Sequence, residues 1–224
     1  SDANYNFKDL IKFAEIQVGG SYREYQLNSF GRIYTDANGP IKYNEYGAYT
    51  QVMKKMIDDR LKLTASLRFD KAQNFVGNYS PRVSVVYSAG QNKNHNFRGS
   101  FQTGFRNPST QDQYIGFNVG SAILLGSAPD NLTRFTETLP ITGAAVSTVG
   151  ASRNINGTIA YDNSYTATSV TAFSAAGNAA LLQKTNAGLV KPEEVKAIEL
   201  GYRSFINRTS IDINGYYNVY NNFI

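Results

Sequence analysis

The sequence has no cysteine and only one histidine, and it has no long run of apolar residues. The missing cysteines exclude disulfide bonds, thiolate nucleophiles and cysteine metal sites. No apolar run approaches ~18 residues, so no segment has the composition of a transmembrane helix. Charged residues make up 17% and aromatic residues 13% of the chain, which indicates a folded protein and not a disordered one.

Candidate catalytic groups are few. The single histidine, His95, lies at a predicted tight turn, where a solvated role is expected and an oriented catalytic triad is not. Residues 36–39 (DANG) have a weak likeness to a calcium loop, but they lack its alternating acids and distal glutamate. We interpret this segment as a turn. We therefore expect no enzymatic activity, no metal site and no cofactor.

The net charge of +5 is modest, and the lysines and arginines are scattered along the chain. A nucleic-acid-binding surface would cluster them, so we expect no nucleic-acid partner.

Seven segments alternate apolar with polar residues, which is the period of a β-strand. In residues 61–70 (LKLTASLRFD), leucine, alanine and phenylalanine fall on one face and polar residues on the other. The predicted strands cover residues 13–27, 41–57, 61–73, 80–90, 95–106, 193–205 and 209–222. They predict an all-β protein with an antiparallel sheet.

The links between these strands differ in length in a regular way. Short links at 58–60, 91–94 and 206–208 alternate with longer ones at 28–40, 74–79 and 107–192. Tight turns at one end and long loops at the other are typical of an outer-membrane β-barrel. The predicted strands also reach the ~9–11 residues needed to cross hydrocarbon. We expect lipid contacts from Leu61, Leu63, Leu67, Phe97, Phe101 and Phe105.

The polar faces combine carboxylates with arginines, as expected for a water-filled barrel lumen. The carboxylates are Glu15, Asp70, Glu199 and Asp212, and the arginines are Arg23, Arg68, Arg98 and Arg203. Glu199 is expected to pair with one of these arginines.

Seven is an odd number of strands, whereas single-chain bacterial barrels normally have an even number. We therefore expect an incomplete antiparallel transmembrane β-barrel, with residues 1–224 as a portion of a larger one. Two alternatives remain open. A small closed outer-membrane barrel would take an eighth strand from residues 144–149 or 155–161. A soluble extracellular β-rich binding or adhesion module would bury its apolar face in a core.

The very long link, residues 107–192, is the predicted site of ligand specificity, because loops of this length are usually functional or disordered. Residues 165–173 (YTATSVTAF) within it have a β-like composition. Aromatic residues that can stack on a sugar or another flat ligand are Tyr114, Phe117, Phe135, Tyr161 and Tyr165. The alternative is that these side chains pack the loop against itself.

Four stretches, taken in order, resemble the β-barrel of TonB-dependent outer-membrane receptors, especially those of the Bacteroidetes. They are GAYTQVMKKMIDDRLKLTASLRFD (47–70), SPRVSVVY (80–87), FRGSFQTGFRNPSTQDQ (97–113) and KPEEVKAIELGY (191–202).

This resemblance implies uptake of a scarce nutrient (a metal chelate, a glycan or a peptide) across the bacterial outer membrane. It also implies contact with outer-membrane lipid. The plug domain, and the N-terminal part through which the TonB complex acts, are expected to be missing from this stretch of sequence.

Overall fold

Long strands and short elements alternate along the chain. In the described residues (1–120, 122–141, 152–185 and 187–223 of the computed structural model), the strands are β1 (Asp2–Asn6), β2 (Glu15–Leu27), β3 (Ile41–Met56), β4 (Leu61–Ala72), β5 (Asn78–Ala89), β6 (His95–Arg106), β7 (Gly116–Asn118), β8 (Ile123–Leu125), β9 (Thr136–Pro140), β10 (Ser152–Asn156), β11 (Glu193–Ile206) and β12 (Thr209–Asn221). The helices are α1 (Thr110–Tyr114), α2 (Asn131–Arg134), α3 (Gly157–Asp162), α4 (Ala167–Ala176) and a 3-10 helix at Ala179–Leu181.

These elements divide between two units that are each assembled from separate stretches of sequence. The first unit comprises Ser1–Tyr25, Tyr43–Asn107 and Lys191–Ile224. The second comprises Gln26–Lys42 and Pro108–Val190.

The first unit is an antiparallel sheet whose eight strands follow the order β1-β2-β3-β4-β5-β6-β11-β12. The antiparallel fold and the seven long strands predicted from the sequence are confirmed. The short strand β1 was missed, because its residues Asp2, Asn4 and Asn6 have little β propensity.

The register separates the sheet into an apolar face and a polar face. One row across β4, β5, β6, β11 and β12 consists of Ala65, Val83, Phe101, Ile198 and Tyr217. The adjacent row, one residue along each strand and on the opposite pleat, consists of Thr64, Ser84, Ser100, Glu199 and Tyr216. Because side chains alternate across a strand, these five strands keep the division along their paired length.

The apolar face is exposed. Val83 is 53% and Ile198 is 48% accessible, and many neighbours on the same face are equally open. A water-soluble protein rarely exposes a contiguous apolar patch larger than a few hundred Å². The outer wall of a membrane barrel presents such a face to hydrocarbon.

Aromatic side chains lie at both ends of the apolar face. Near the short turns, Phe97 packs on Tyr202 with ring centroids 5.0 Å apart, and Tyr87 of β5 lies opposite Phe97. Toward the other end of β5, Tyr79 packs on Phe69 at 4.9 Å. From Tyr79 to Tyr87 the strand extends about 26 Å at ~3.3 Å per residue. Barrel strands are tilted by ~35–45° from the membrane normal, so this length spans about 20 Å of the ~25 Å apolar band that aromatic girdles border.

Short turns close one end of the sheet at residues 57–60, 90–94 and 207–208. Three consecutive residues of the first turn, Ile57, Asp58 and Asp59, have positive φ values of 56°, 50° and 62°, a region that disfavours β-branched side chains. The guanidinium of Arg60 donates to the carbonyl oxygens of Gly90 at 2.6 Å and Ser88 at 3.3 Å. These bonds tie the strained turn to the next one. The predicted positions of the short links are confirmed to within two residues.

The sheet is open in the part of the chain that the structure describes, where β1 pairs only with β2 and β12 only with β11. The alternative closing strand at 155–161 is wrong. Residues 155–156 end β10, which pairs with β9 in a separate two-stranded sheet, and residues 157–161 belong to α3. The other alternative, 144–149, lies outside the described residues.

The second unit is built of short elements whose ends are capped by side chains. Ser109 and Asp112 form a reciprocal capping box at the start of α1. Residues 165–173 were expected to be β-like, but most of them belong to α4. The side chain of Thr166 caps the first turn of this helix, and Gly177, with φ of 65°, ends it in the left-handed conformation. None of the helices in the described residues is both long and apolar enough to cross a membrane.

A buried asparagine links the two stretches of the second unit. Asn131 is fully buried, and its amide nitrogen donates to the carbonyl oxygens of Gly126 at 2.7 Å and Ile115 at 3.2 Å. Its amide oxygen accepts from the hydroxyl of Thr35. The link that contains Thr35 also bonds to the long segment through its backbone, where the N–H of Thr35 donates to the carbonyl of Tyr114 at 3.2 Å.

We predict that Ile198→Arg, on the apolar face of β11 and level with Val83 midway between the two aromatic ends, destabilises the protein folded into lipid vesicles by about 2–4 kcal/mol, the cost of an arginine near the bilayer centre. Urea titration of vesicle-inserted protein measures this change. Ser100→Arg, on the polar face of the neighbouring strand, is the matched control and should cost far less. Equal losses for the two variants would contradict the assignment of the faces.

We predict that Asn131→Ala destabilises the second unit by about 1–3 kcal/mol, because it removes the side-chain donor to the buried carbonyl of Gly126 and the acceptor of the Thr35 hydroxyl. Hydrogen exchange at the Gly116 and Ala128 amides reports the loss. Asn154→Ala is the control, since Asn154 is exposed and bonds only at the surface to Thr138; it should change exchange by under ~0.5 kcal/mol. Unchanged protection in Asn131→Ala would refute the linking role.

Candidate functional site

Ion pairs cross the polar face of the sheet. Arg68 and Asp70 pair at 2.6 Å on β4, and Arg106 of β6 pairs with Glu193 of β11 at 2.8 Å. Carboxylates and arginines therefore share this face, as the sequence predicted. Their charges neutralise one another locally in a surface suited to water.

Arg98 of β6 contacts several polar side chains on the same face. Its guanidinium lies 3.1 Å from Asp212 and 3.9 Å from Glu199, and it also donates to Asn214. Gly201 makes this possible, because a Cβ there would lie 2.4 Å from Arg98 Nε. The expected pairing of Glu199 is thus with Arg98, across a glycine gap in β11.

A second group of polar and aromatic side chains lies on the polar face at the end opposite the short turns. The rings of Tyr25 and Tyr43 stack with centroids 4.7 Å apart and planes 11° apart. The Tyr25 hydroxyl donates to Glu45 Oε2 at 3.2 Å, and the amide nitrogen of Asn107 donates to Glu45 Oε1 at 3.0 Å. We call these four residues the tyrosine–carboxylate cluster.

The bond between Asn107 and Glu45 shows which face of the sheet is concave at this end. Glu45 belongs to β3 and Asn107 follows β6, so two strands lie between them. Along the sheet this separation is about 14 Å, at ~4.8 Å per strand. A direct bond over that span requires the sheet to curve and the chain to turn toward the polar face. The polar face is therefore the inner one here.

The five aromatic residues proposed from the sequence occupy different environments in the second unit. Tyr114 and Phe135 are 1% and 6% accessible. This burial corresponds to the alternative stated above, in which the side chains pack the loop against itself. Tyr161 is half-buried, and its hydroxyl donates to the carbonyl of Ala187. Tyr165 is half-buried, and its backbone forms an isolated antiparallel β-bridge with that of Lys184. A ligand-binding role for any of the five stays a prediction.

Phe117 is the most accessible of the five, at 43%. It lies on the β7–β8 hairpin, directly opposite Leu124, and Leu124 and Val119 are exposed as well. The hairpin therefore presents a small apolar surface to any molecule that approaches the second unit.

Residues 36–39 form a turn, as expected. The carboxylate of Asp36 accepts hydrogen bonds from other residues of the 28–40 link. It accepts hydrogen bonds from the Ser29 hydroxyl and the Gly31 N–H, both at 2.7 Å, and from the Ser29 N–H. Burial raises the pKa of this carboxyl, but the three hydrogen bonds outweigh burial and the pKa lies below its usual value.

The imidazole of His95 lies within hydrogen-bond distance of two hydroxyl groups. Its Nδ1 lies 2.8 Å from the Tyr202 hydroxyl and 3.3 Å from that of Ser204. Across the described residues, no group of three or more histidine, cysteine, aspartate or glutamate side chains is arranged to hold a metal ion.

Sequence reasoning missed the tyrosine–carboxylate cluster. One signal was available, since Tyr25 and Tyr43 flank the 28–40 link and both fall on the polar pleat of their strands. The role of Asn107 had no such signal, because its bond to Glu45 spans 62 residues of sequence.

We predict that the turn around Asp36 loses stability only in acid. The unfolded carboxyl titrates near pH ~3.9 and the folded one below it, so the stabilisation is complete above the unfolded value and lost as pH falls through the folded pKa. Hydrogen exchange at the Ser29 and Gly31 amides, corrected for intrinsic rates, should be constant down to about pH 5 and then accelerate. Asp36→Asn should be less protected at neutral pH and show no such acid step; an identical step in this variant would exclude Asp36 as its source.

Several solved structures with a similar fold are siderophore or ferric enterobactin receptors. The siderophore receptor PirA from Acinetobacter baumannii aligns with a TM-score of 0.54 at 14% identity, over 98% of this chain and 26% of that one. PirA from Pseudomonas aeruginosa aligns with a TM-score of 0.54 at 14% identity, over 98% and 31%. A mutant of the ferric enterobactin receptor PfeA from Pseudomonas aeruginosa gives 0.56 at 12% identity, over 98% and 26%.

At such low sequence identity, the similarity to these structures shows the fold alone. The chain spans about a quarter to a third of the length of these receptors. No curated protein matches the chain in sequence. The family described as "TonB dependent receptor-like, beta-barrel" matches residues 1–224, the whole of the chain. The resemblance inferred from the sequence motifs is confirmed at the level of the family, and the chain belongs to the TonB-dependent receptor β-barrel family.

Proposed function

We propose that this chain forms part of the wall of an outer-membrane importer that takes up a scarce nutrient with energy from the TonB complex. The observation that carries the proposal is the two-sided sheet. Its exposed apolar face fits lipid, and its polar face fits a water-filled lumen.

Family membership supports both the location and the mode of action, because TonB-dependent receptor barrels are outer-membrane proteins. The similar solved structures align with 98% of this chain over 26% of their own length. We infer that the present chain is likewise a portion of a longer receptor. In it, a plug and the segment that engages the TonB complex lie elsewhere in the sequence. The motif resemblance further favours a receptor of the Bacteroidetes type.

The nutrient belongs to one of three classes: a metal chelate, a glycan or a peptide. The named neighbours are a siderophore receptor and a ferric enterobactin receptor, but 12–14% identity carries the fold and no substrate. The second unit contributes to capture in this proposal. Its more accessible aromatic residues Phe117, Tyr161 and Tyr165 are the first candidates for contact, whereas Tyr114 and Phe135 are buried.

Cysteine mapping tests the proposal sharply, because the chain has no cysteine of its own. Val83→Cys and Val85→Cys place the label on the apolar face of β5, and Ser84→Cys places it on the polar face between them. In membranes, we expect brominated phospholipid to quench a bimane label at 83 and 85 and not at 84, and a membrane-impermeant water-soluble quencher to show the reverse preference.

Lipid quenching that fails to alternate would refute a lipid-facing wall. If the protein instead stays dispersed without detergent as a β-rich monomer by light scattering and circular dichroism, the soluble binding-module alternative replaces the proposal.

A further inference from the structure

The link between β1 and β2, residues 7–14, lies at the short-turn end of the sheet. Its first residue, Phe7, packs edge-on against Tyr5 of β1 with ring centroids 4.8 Å apart. Tyr5 lies directly opposite Val18 of β2, and both side chains are exposed. These two residues are on the apolar face, because the next residue along β2, Gln17, bonds to a side chain of the polar face. The link therefore starts on the apolar side of the sheet.

Lys54 of β3 is a charged residue on the apolar face. It lies directly opposite Leu63 of β4, and its Nζ is 5.4 Å from the centre of the Phe13 ring, near the end of the link. A lysine on a lipid-facing strand places its ammonium group among the headgroups while its methylene chain stays in contact with hydrocarbon. The position of Phe13 shows that Lys54 extends toward the link, at the edge of the apolar face.

A pocket of about 320 Å³ adjoins this link. Its cationic lining residues are Lys8 and Lys12 from the link and Lys55 from the end of β3. Glu15 is the single carboxylate among the described residues that line it. Lys55 lies directly opposite Lys62 of β4, and like charges that face each other destabilise a sheet. The pocket therefore has an excess of positive charge, which a bound anion would reduce.

The pocket lies at the rim, between the two faces of the sheet. Lys55 is on the polar pleat, whereas Phe13, which also lines the pocket, lies against Lys54 of the apolar pleat. Met56 and Leu61 form the last pair of β3 and β4 on the apolar face, and the turn follows at once. A headgroup that borders the lipid-facing surface at this end can therefore reach the lysines.

The lysines of this rim have no acidic partners, in contrast to arginines of the polar face. Arg68, Arg98 and Arg106 each pair with a carboxylate at 2.6 to 3.1 Å. In the part of the chain that the structure describes, no ion pair includes any of five residues that we call the rim lysines: Lys8, Lys12, Lys54, Lys55 and Lys62. Glu15 forms no ion pair there either. The ammonium groups are therefore available to an external anion.

Exposed apolar side chains accompany the rim lysines. Leu10 and Phe13 are 70% and 69% accessible. The turn that presents Leu10 is fixed by its backbone, because the N–H groups of Leu10 and Ile11 donate to the carbonyl oxygen of Phe7 at 2.9 and 2.8 Å. Lysines beside exposed leucine and aromatic residues are typical of segments that lie at a membrane surface. Such segments favour anionic lipid, because each basic residue adds electrostatic attraction.

We propose that the rim lysines bind the headgroup phosphate of an anionic phospholipid in the periplasmic leaflet. In this arrangement the phosphate enters the pocket near Lys8 and Lys12, and the acyl chains pack along Leu10 and Phe13. The short turns of outer-membrane barrels are periplasmic, so the pocket is level with the headgroups of that leaflet. The inference rests on the proposed function, since it needs the apolar face of the sheet to stand in a bilayer.

The test is native mass spectrometry of the intact receptor in a neutral detergent, titrated with dioleoyl phosphatidylglycerol or with dioleoyl phosphatidylcholine. We expect phosphatidylglycerol to bind about tenfold or more tightly than phosphatidylcholine, because its headgroup is anionic. Replacing three rim lysines together (Lys8→Gln, Lys12→Gln and Lys54→Gln) should lower the affinity for phosphatidylglycerol about tenfold or more and leave that for phosphatidylcholine unchanged.

The matched control replaces three exposed lysines outside the rim: Lys42→Gln, Lys184→Gln and Lys191→Gln. It changes the net charge of the chain equally and should leave the affinity for phosphatidylglycerol within about twofold of the unchanged receptor.

Two further measurements separate a lipid from a soluble phosphate compound. Leu10→Ser combined with Phe13→Ser removes the predicted acyl-chain contact and should lower the affinity for phosphatidylglycerol about fivefold. Both side chains are exposed, so the fold should persist, which circular dichroism checks. Excess glycerol phosphate, which carries the charge without acyl chains, should not displace the lipid.

The proposal is overturned if the two lipids bind equally, or if the triple lysine variant loses no more affinity than its control. Full affinity in the Leu10 and Phe13 variant, or displacement by glycerol phosphate, would also overturn it, in favour of a soluble phosphate ligand. Lipid quenching at Val83→Cys and Val85→Cys is independent of these outcomes. A receptor that passes that test and shows no preference for phosphatidylglycerol keeps its proposed function and loses only this inference.

Discussion

The antiparallel hydrogen-bond ladder of the sheet is the constraint on which the rest of the structure depends. Each strand is paired in a register that leaves every second side chain on the same face as its neighbour's. A shift of one residue in any pair would place leucines and phenylalanines among the ion pairs of the polar face. The apolar surface, the Arg98 pairs and the tyrosine–carboxylate cluster all exist because this register is kept from strand to strand.

The ladder also explains why the long strands could be predicted and other elements could not. β4 and β6 alternate over their whole length, and a period of two is a local signal that needs no tertiary information. β1 is short and polar, so its place in the sheet is set by its partner β2 and not by its own composition. Helix α4 contains threonine, valine and phenylalanine, which favour strands. Its capping residues Thr166 and Gly177 decided the conformation.

The candidate site was harder to predict than the fold for the same reason. Aromatic residues in the long segment were reasonable candidates for binding. Whether such a residue is buried depends on tertiary contacts, which the sequence does not display. Burial separates Tyr114 and Phe135 from the exposed Phe117. The cluster on the inner face joins residues from β2, β3 and the end of β6. Only the curvature of the sheet brings Asn107 to Glu45. Strand pattern predicts which face a residue occupies, and not which distant residue it meets there.

The bond between Thr35 and Asn131 has a consequence for how such receptors diversify. The second unit is encoded by two separate stretches of the gene, and its folded state needs both, because Asn131 takes partners from each. Recombination that exchanged only the long segment would deliver an asparagine without its matching threonine, or a threonine without its asparagine. New versions of this unit are therefore expected to be inherited as a pair, with the 28–40 link and the long segment changing together while the strands between them stay constant.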